Sequence, residues 1–276
     1  MGVSPELLRA WEQRYGLLRP LRSAGGFRLY SPADEERVRA MRRHLDAGVS
    51  AAEAARLALA QTAREQAVEV QSPGLARLSE ELRAALDRLE EPGAQASIDR
   101  LLATFTLETV LRDVVLPYLH ALGERWERGD ATVAQEHFAS NVLRGRLLGL
   151  ARGWGRGTGP TAVLACAPGE HHDLSLIIFG LVLGGRGWLI TYLGPDTPIA
   201  TIQDALADVK PRLVVIAAVT TRRLRAEQPE LKELARHVRV ALAGPGATAA
   251  LARSTGAFVL AGDPVTAAER VAAEHR

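Results

Sequence analysis

The sequence is poor in cysteine, in lysine and in long apolar runs, and each scarcity excludes a class of protein. Its 276 residues contain one cysteine, Cys166, which excludes an internal disulfide framework and a zinc or iron–sulfur site with several cysteine ligands. Cys166 lies in an apolar stretch, where we expect a buried and unreactive thiol. No apolar run is long enough to span a membrane and the N-terminus does not resemble a signal peptide, so we expect a cytoplasmic protein without a membrane partner.

Charge is scarce overall and unevenly placed. The formal net charge is +2, and the only lysines are Lys210 and Lys232. The first 30 residues hold five arginines against two glutamates, a local charge of +3, so the rest of the chain is close to neutral. A small basic end on a neutral body indicates a module that contacts nucleic acid and is attached to something else. Nothing in the chain resembles a nucleophile with its base, so we do not expect an enzyme.

Residues 1–60 have the pattern of short helices around a hairpin. Ser4 and Pro5 form a helix start, and Leu8 and Trp11 give that helix an apolar face. Residues 22–30 predict a short hairpin with glycines at its tip. Further helices are expected from about residue 32 to residue 47 and from about residue 50.

The string LLRAWEQRYGLLRP, followed by R-x-x-G-G-x-R-x-Y, resembles the winged helix-turn-helix of MerR-type transcription regulators. The resemblance implies that a helix enters the major groove of double-stranded DNA and that a glycine-tipped wing grips its phosphates. Guanidinium groups suit both contacts, because they bind phosphates and guanine edges. The alternative is an amphipathic helix with a solvated basic face. The groove residues implied by the resemblance are Arg9, Arg14 and Tyr15, and the wing residues are Arg22, Arg28 and Tyr30.

Members of that family carry a strand and a helix before this point, whereas this sequence starts at what would be the recognition helix. A helix-turn-helix without its first helix loses part of its core and the element that crosses the DNA backbone. We therefore expect the sequence as it stands to bind DNA more weakly than one extended upstream.

Residues 61–155 are predicted to be mostly helical. Residues 61–74 contain Ser-Pro-Gly at their end and are interpreted as a helix tail and linker. The apolar spacing of residues 75–155 predicts a four-helix bundle. Trp126 ends one of its helices, and Glu136 and His137 lie in the first turn of the next. Taken locally, Trp126 is a core aromatic and Glu136 is a residue favoured near a helix N-terminus, and that interpretation stays open.

Residues 159–276 alternate apolar strands with helices. Five such strands predict a flavodoxin-like, or Rossmann-like, parallel sheet with right-handed crossovers. Ligands bind such folds where strands end, and the first strand ends in PGEHHD, residues 168–173. Because this turn does not read G-x-G-x-x-G, a metal or metallocofactor is favoured over a dinucleotide. A histidine in a polar loop is also commonly only solvated, which is the alternative.

The bundle with W-x9-E-H, the first loop E-H-H-D-L-S and the second loop Y-L-G-P-D-T together resemble the cobalamin-binding unit of CarH/LitR-type regulators. These are MerR proteins that use adenosylcobalamin to sense light, and the resemblance spans almost the whole chain. It implies that His172 binds cobalt through one imidazole nitrogen, while Asp173 or Glu170 orients the other. Trp126 would cover the upper face of the cofactor, with Glu136 and His137 close by. Further cofactor contacts are implied at Gly194, Asp196, Thr220 and Gly244.

The sequence departs from the family pattern at four places. Ser175, Ala217 and Ala243 stand where glycine, serine and glycine are expected. Each change adds atoms or removes a hydrogen bond where the nucleotide tail of the cofactor should lie, so weaker binding is expected. Glu127 follows Trp126, where the best-known pattern has histidine. Since a carboxylate is a harder donor than imidazole, we expect a different state after illumination.

These observations predict a transcription repressor that binds adenosylcobalamin through His172 and DNA through its N-terminal arginines. A homo-oligomer, a dimer or a tetramer, would hold operator DNA in the dark and release it in light. One alternative is a cobalamin-independent MerR-type regulator controlled by a protein partner, such as an antirepressor. The other is a corrinoid methyl carrier, which has a similar bundle and sheet but lacks the MerR segment.

Overall fold

The computed structural model describes residues 3, 5–18, 21–22, 28–29, 32–46, 48–156 and 158–274. Within these ranges, the side chains of residues 5, 13, 21–22, 28–29, 32–33, 35–36, 46 and 60–73 are not described. The chain forms two compact units, Met1–Arg77 and Leu78–Arg276.

Within its described residues, the first unit contains two helices, a hairpin and the start of a third helix. They are α1 (Pro5–Tyr15), β1 (Leu21–Arg22), β2 (Arg28–Leu29), α2 (Pro32–Asp46) and α3 (Ala51–Asp87). The two strands are antiparallel, with Arg22 opposite Arg28, as expected for the hairpin. The apolar face of α1 buries Leu8 and Trp11 in a core with Leu17 and Met41. The spacing of three positions between Leu8 and Trp11 puts both on one face of the helix, which is why α1 packs on this side.

Residues 61–74, which we expected to hold a helix tail and a linker, lie within α3. The helix continues through Pro73 and Gly74 and ends at Asp87. A proline inside a helix removes one backbone hydrogen bond. The segments on both sides are rich in alanine, glutamate and leucine, which favour helix and explain why it continues. The boundary between the two units falls inside this helix, between Arg77 and Leu78.

The second unit begins with the predicted helical bundle. After the end of α3 come α4 (Glu91–Thr104), α5 (Leu107–Val110), a π-helical turn (Leu111–Val115), α6 (Leu116–Glu127) and α7 (Val133–Leu150). The apolar faces meet in a core that includes Leu86, Leu101 and Leu143. Asp87 joins three of these helices, because its carboxylate accepts two hydrogen bonds from Arg125, at 2.8 and 2.9 Å, and its backbone oxygen accepts one from Gln135.

The bundle leads into a five-stranded parallel sheet, which confirms the predicted fold class. The strands are β3 (Thr161–Cys166), β4 (Leu189–Gly194), β5 (Leu213–Ala217), β6 (Val240–Ala243) and β7 (Phe258–Val259). Their spatial order is β4-β3-β5-β6-β7, the order of flavodoxin-like folds. The helices are α8 (Leu174–Gly185), α9 (Ile199–Val209), α10 (Thr221–Ala226), α11 (Gln228–His237), α12 (Ala249–Thr255) and α13 (Pro264–Ala273).

Helix α8 packs against both the bundle and the sheet. Its residues Leu176 to Leu183 are all buried, and α7 and α13 pack against it. Gly180 allows close approach, since a Cβ atom there would lie 2.8 Å from Leu164 and 2.9 Å from Trp154. At the far end of α8, Arg186 binds Glu108 of the bundle at 3.0 Å and Glu269 of α13 at 3.1 Å. Among the helices described, none is both long and apolar enough to cross a membrane.

Candidate functional site

The loop after β3 is held by the segments that follow the two neighbouring strands. On the β4 side, the carboxylate of Asp196 accepts a hydrogen bond from the backbone N–H of Gly169 at 2.7 Å. The backbone N–H of Asp196 donates to the carbonyl oxygen of Glu170 at 2.9 Å. On the β5 side, the backbone N–H of Val219 donates to the Glu170 carboxylate at 2.8 Å. The carboxyl ends of three adjacent parallel strands therefore fix one loop, at the edge where such folds bind ligands.

Glu170 orients the ring of His172. Oε1 of Glu170 accepts a hydrogen bond from the backbone N–H of His172 at 3.1 Å and contacts Nδ1 of its ring at 2.6 Å. Glu170 is fully buried, whereas the side chain of His172 is 70% exposed. Nδ1 is thus held by an acceptor, and Nε2 is the nitrogen that remains for a ligand. His171 is also exposed.

The buried carboxylate of Glu170 stays ionised because several donors converge on it. Burial alone would raise its pKa, but hydrogen bonds from Val219, His172 and Arg223 lower the pKa of Glu170 to about 2. Oε2 accepts the bond from Arg223 at 2.7 Å. An ionised carboxylate is an acceptor only, so the proton of the short contact belongs to Nδ1 of His172.

Asp173, the other acid that could have oriented the imidazole, instead binds residues of α7 and β4. Its buried carboxylate accepts a hydrogen bond from Nε of Arg144 on α7 at 2.8 Å and another from the hydroxyl of Tyr192 on β4. Burial and the nearby Asp173 raise the pKa of Tyr192, which therefore remains a hydrogen-bond donor. Asp173 consequently links the bundle, the start of α8 and β4, beside the His172 loop.

The aromatic residue singled out in the bundle is exposed. Trp126 lies near the end of α6 with 53% of its surface accessible, so the local interpretation as a core aromatic is wrong. Glu136 accepts a hydrogen bond from the hydroxyl of Ser140 at 2.8 Å and lies 3.5 Å from Nε2 of His137. His137 and Glu127 are exposed. Glu136, Ser140 and His137 all lie in the first turns of α7.

The remaining predicted cofactor positions lie at the carboxyl ends of strands. Gly194 ends β4, and Thr220 precedes α10 in an exposed position. Gly244 follows β6 with a φ of +84°, and a Cβ atom there would lie 2.6 Å from the carbonyl oxygen of Ala218. Residue 244 therefore has to be glycine for these two loops to approach each other. Of the departures from the family pattern, Ser175 is exposed and Ala217 is buried.

Several residues at this edge escaped the sequence analysis. Leu193 and Val219 are exposed apolar residues, 39% and 41% accessible. Leu193 lies in β4 and Val219 follows β5, the two strands on either side of β3. Arg223 lies 53 positions after Glu170, and Arg144 lies 29 positions before Asp173. A signal for Arg144 existed, since it follows His137 by two helical turns and so shares its face. No such signal existed for Val219 and Leu193, because both belong to apolar runs that predict buried strand residues.

The predicted DNA contacts are described in part. Arg9 and Arg14 are exposed on α1, whereas Leu8 and Trp11 are buried. Tyr15 is half-buried, with the guanidinium carbon of Arg14 5.9 Å from its ring centroid. Tyr30 and the side chains of Arg22 and Arg28 lie outside the described residues. Helix α1 therefore has buried apolar residues and exposed arginines, an arrangement that a groove-binding helix shares with an amphipathic helix whose basic face is solvated.

The sequence matches three families over successive parts of the chain. Residues 1–61 match the family described as MerR HTH family regulatory protein. Residues 78–148 and residues 160–272 match two families that are both described as B12 binding domain.

Two curated proteins of Myxococcus xanthus are similar over most of the chain. HTH-type transcriptional repressor CarH is 34% identical over 228 residues, which cover 80% of this chain and 76% of that protein. HTH-type transcriptional repressor CarA is 35% identical over 232 residues, covering 83% and 75%. Among solved structures, the monomethylamine corrinoid protein of Methanosarcina barkeri superposes with a TM-score of 0.60 over 72% of this chain and 99% of that chain. At 18% sequence identity, this last likeness concerns the fold alone.

Proposed function

The chain belongs to the MerR-family transcription regulators of the CarH/LitR type, which carry a C-terminal B12-binding domain, and on that premise we propose that it is a repressor that binds cobalamin through His172. The observation that carries the proposal is the exposed imidazole of His172, held through Nδ1 by the buried, ionised Glu170. Its similarity to two repressors over three quarters of their length supports the regulatory role.

The residues present fit a cobalamin group in two respects. The donor is a single exposed imidazole whose other nitrogen is already bound to a carboxylate, the arrangement that metal-ligating histidines usually have. Leu193 in β4 and Val219 after β5 are exposed apolar residues of the two segments that neighbour β3 in the sheet. Exposed apolar side chains beside one polar donor are typical of a site for a large, mostly apolar ligand.

The residues of the chain have distinct parts in this proposal. Cobalamin, when bound, supplies a cobalt centre that takes an imidazole nitrogen as its ligand and, in the adenosyl form, a light-sensitive bond between cobalt and carbon. In the neutral imidazole of His172, Glu170 holds the proton on Nδ1, so that Nε2 is the nitrogen with a free lone pair. Trp126, which is exposed on the bundle, would help to exclude water from the bound cofactor.

The contact between α7 and the His172 loop provides a route to the rest of the protein. Arg144 binds Asp173, the residue next to His172, and shares a helix face with His137 about 10 Å along the axis. In this proposal, the contact between Arg144 and Asp173 transmits a change at the ligand site to α7. We propose further that the adenosyl form is the cofactor and that light is the signal. In this proposal a homo-oligomer binds operator DNA through Arg9 and Arg14 in the dark, and an antirepressor protein is a further partner.

The test of ligation compares two neighbouring histidines. We expect His172→Ala to weaken binding of adenosylcobalamin by at least tenfold, measured by absorbance titration in the dark, because the ligand nitrogen is removed. The matched change His171→Ala alters another exposed imidazole and is expected to have a much smaller effect. Equal binding by the wild type and His172→Ala would exclude His172 as ligand.

A wild-type protein that binds no cobalamin would favour the cobalamin-independent regulator, which the departures at Ser175, Ala217 and Ala243 also predict. The light response is tested on the loaded protein by size-exclusion chromatography before and after illumination. An elution volume that does not change on illumination would contradict the proposed role of light in assembly.

A further inference from the structure

The carboxylate of Glu170 divides its two oxygens between two parts of the fold. Oε1 contacts His172, whose backbone N–H lies at 3.1 Å and whose ring Nδ1 lies at 2.6 Å. Oε2 serves the segment after β5, through the backbone N–H of Val219 at 2.8 Å and Nη1 of Arg223 at 2.7 Å. The position of Oε1 beneath the imidazole therefore depends on what holds Oε2.

Arg223 is the side chain that can hold Oε2 of Glu170 firmly. The terminal torsion of a glutamate has a broad, twofold energy profile, so the two backbone N–H groups of His172 and Val219 alone fix the angle of the carboxylate less firmly than they do together with a side-chain donor. A hydrogen bond from a guanidinium to a carboxylate is roughly twice as strong as one between neutral groups. Glu170 is fully buried and Arg223 only 31% exposed, so water competes weakly for this pair.

The guanidinium is itself placed by rigid parts of the fold. Arg223 lies on α10, and the next residue, Leu224, is fully buried in the core of the sheet. Gly169 lies beside the guanidinium, since a Cβ atom at that position would be in van der Waals contact with Nε of Arg223 at 3.7 Å. Gly169 has a φ of +72°, so a larger residue there would be strained.

We propose that Arg223 is a positioning residue, which keeps Oε1 of Glu170 on Nδ1 of His172 and so fixes both the tautomer and the direction of the exposed imidazole. The ligand role of the imidazole rests on the function proposed above, but the orientation of the ring by Arg223 does not. A neutral imidazole in water favours the proton on Nε2. Loss of Arg223 therefore releases the ring towards the tautomer whose Nε2 is protonated and cannot bind a metal.

The first test is made on the cofactor-free protein. Ring ¹⁵N chemical shifts of histidine-labelled protein report the tautomer, and the His172 signals are identified by their loss in His172→Ala. At a pH where the imidazole of His172 is neutral, we expect the wild type to carry the proton on Nδ1 and Arg223→Ala to show a mixture of tautomers. The matched control is Arg225→Ala, which removes an exposed arginine from the same helix and is expected to leave the wild-type signals unchanged.

The second test measures adenosylcobalamin binding in the dark. We expect Arg223→Ala to bind about tenfold more weakly than Arg225→Ala, the lower end of the effect of removing a residue that orients a metal ligand. Arg223→Lys keeps a cation and a donor but lacks the planar fork, so its affinity should fall between the two. If Arg223→Ala does not fold, as judged by circular dichroism, Arg223→Lys is read against Arg225→Lys in the same way.

The two proposals fail differently. Wild-type protein that binds no adenosylcobalamin would overturn the cofactor role, while the ¹⁵N shifts would still decide the part played by Arg223. A folded Arg223→Ala protein that keeps the wild-type tautomer would overturn the positioning role. So would one that binds adenosylcobalamin as tightly as Arg225→Ala.

Discussion

Charged side chains are buried at the ligand edge of the sheet, and Glu170 is the clearest case. It is fully buried, yet its carboxylate is ionised because four donor groups within the described residues surround it. A buried charge without partners is strongly unfavourable, so these donors and the carboxylate stabilise one arrangement of the loop. Cys166, by contrast, is a buried thiol whose pKa is raised to about 12 by desolvation, so the expectation of an unreactive cysteine agrees with its environment.

We expect Glu170→Gln to destabilise the protein in a pH-dependent way. The pKa of Glu170 is lowered from 4.5 to about 2, which corresponds to about 3 kcal/mol of stability at neutral pH. Because the pKa is depressed in the folded state, this contribution is complete above pH 4.5 and is lost as the pH falls towards 2. The difference in urea midpoint between wild type and Glu170→Gln should therefore shrink from pH 7 to pH 3.

Glu233 supplies the matched control for that experiment. It also bonds an arginine and a histidine, Arg236 and His237, but its side chain on α11 is 45% exposed. Glu233→Gln is expected to change the urea midpoint little at any of these pH values. Parallel curves for wild type and Glu170→Gln down to pH 3 would contradict the assigned ionisation.

At the scale of elements, α8 is the helix that the bundle and the sheet share. Its residues from Leu176 to Leu183 are buried because α7 covers one side, α13 another and the sheet a third. Ion pairs mark both ends of the helix. Asp173 precedes it and binds Arg144, and Arg186 follows it and binds Glu108 and Glu269. These pairs specify how α7 and α5 lie on α8, which apolar packing alone defines less sharply.

We expect Arg144→Ala to lower the free energy of unfolding by about 1–2 kcal/mol. The change leaves the buried Asp173 with Tyr192 as its remaining described side-chain partner, and an under-compensated buried charge is costly. The estimate is below that of a fully buried pair because Arg144 is 39% exposed. Arg146→Ala on the same helix removes a pair with the exposed Asp99 and should cost less than about 1 kcal/mol. Urea unfolding measures the free energy of unfolding of the two variants. Equal decreases would show that the contact with Asp173 contributes no more stability than the exposed pair.

At the scale of the whole molecule, the chain separates its two binding tasks into two compact units. The arginines of α1 belong to Met1–Arg77, and the His172 loop belongs to Leu78–Arg276. Each unit has its own buried core, so a surface substitution in one should leave the intrinsic binding of the other unchanged.

We expect Arg14→Ala to weaken DNA binding and to leave cobalamin binding unchanged. A phosphate contact made by one arginine contributes about one unit to the slope of log K against log salt concentration. Fluorescence anisotropy with labelled duplex DNA at several salt concentrations measures that slope. Arg253→Ala removes an exposed arginine from α12 of the other unit and serves as control. A salt slope that is the same for Arg14→Ala and Arg253→Ala would remove Arg14 from the DNA contacts.

Much of the fold could be predicted because it depends on local patterns. The alternation of apolar strands with helices in residues 159–276 predicts a parallel sheet, and the right-handed crossover rule leaves few orders for its strands. The Ser-Pro-Gly sequence of residues 72–74 was misleading, since α3 continues through it. A break signal of three residues competes with the helix preference of a much longer segment, and in this case the longer segment prevails.

The sequence by itself determined where the candidate site lies, since a polar loop that ends the first of five parallel strands must lie at the ligand edge. It also supplied His172 and two acids beside it, but it could not choose between Glu170 and Asp173. Tertiary structure decided that choice. The parallel pairing of β3 with β5 brings Val219 and Arg223 to Glu170, and the packing of α7 on α8 brings Arg144 to Asp173. A buried carboxylate follows the donors that reach it, and these three, Arg144, Val219 and Arg223, come from segments 29 to 53 positions away, a separation at which local sequence pattern carries no information.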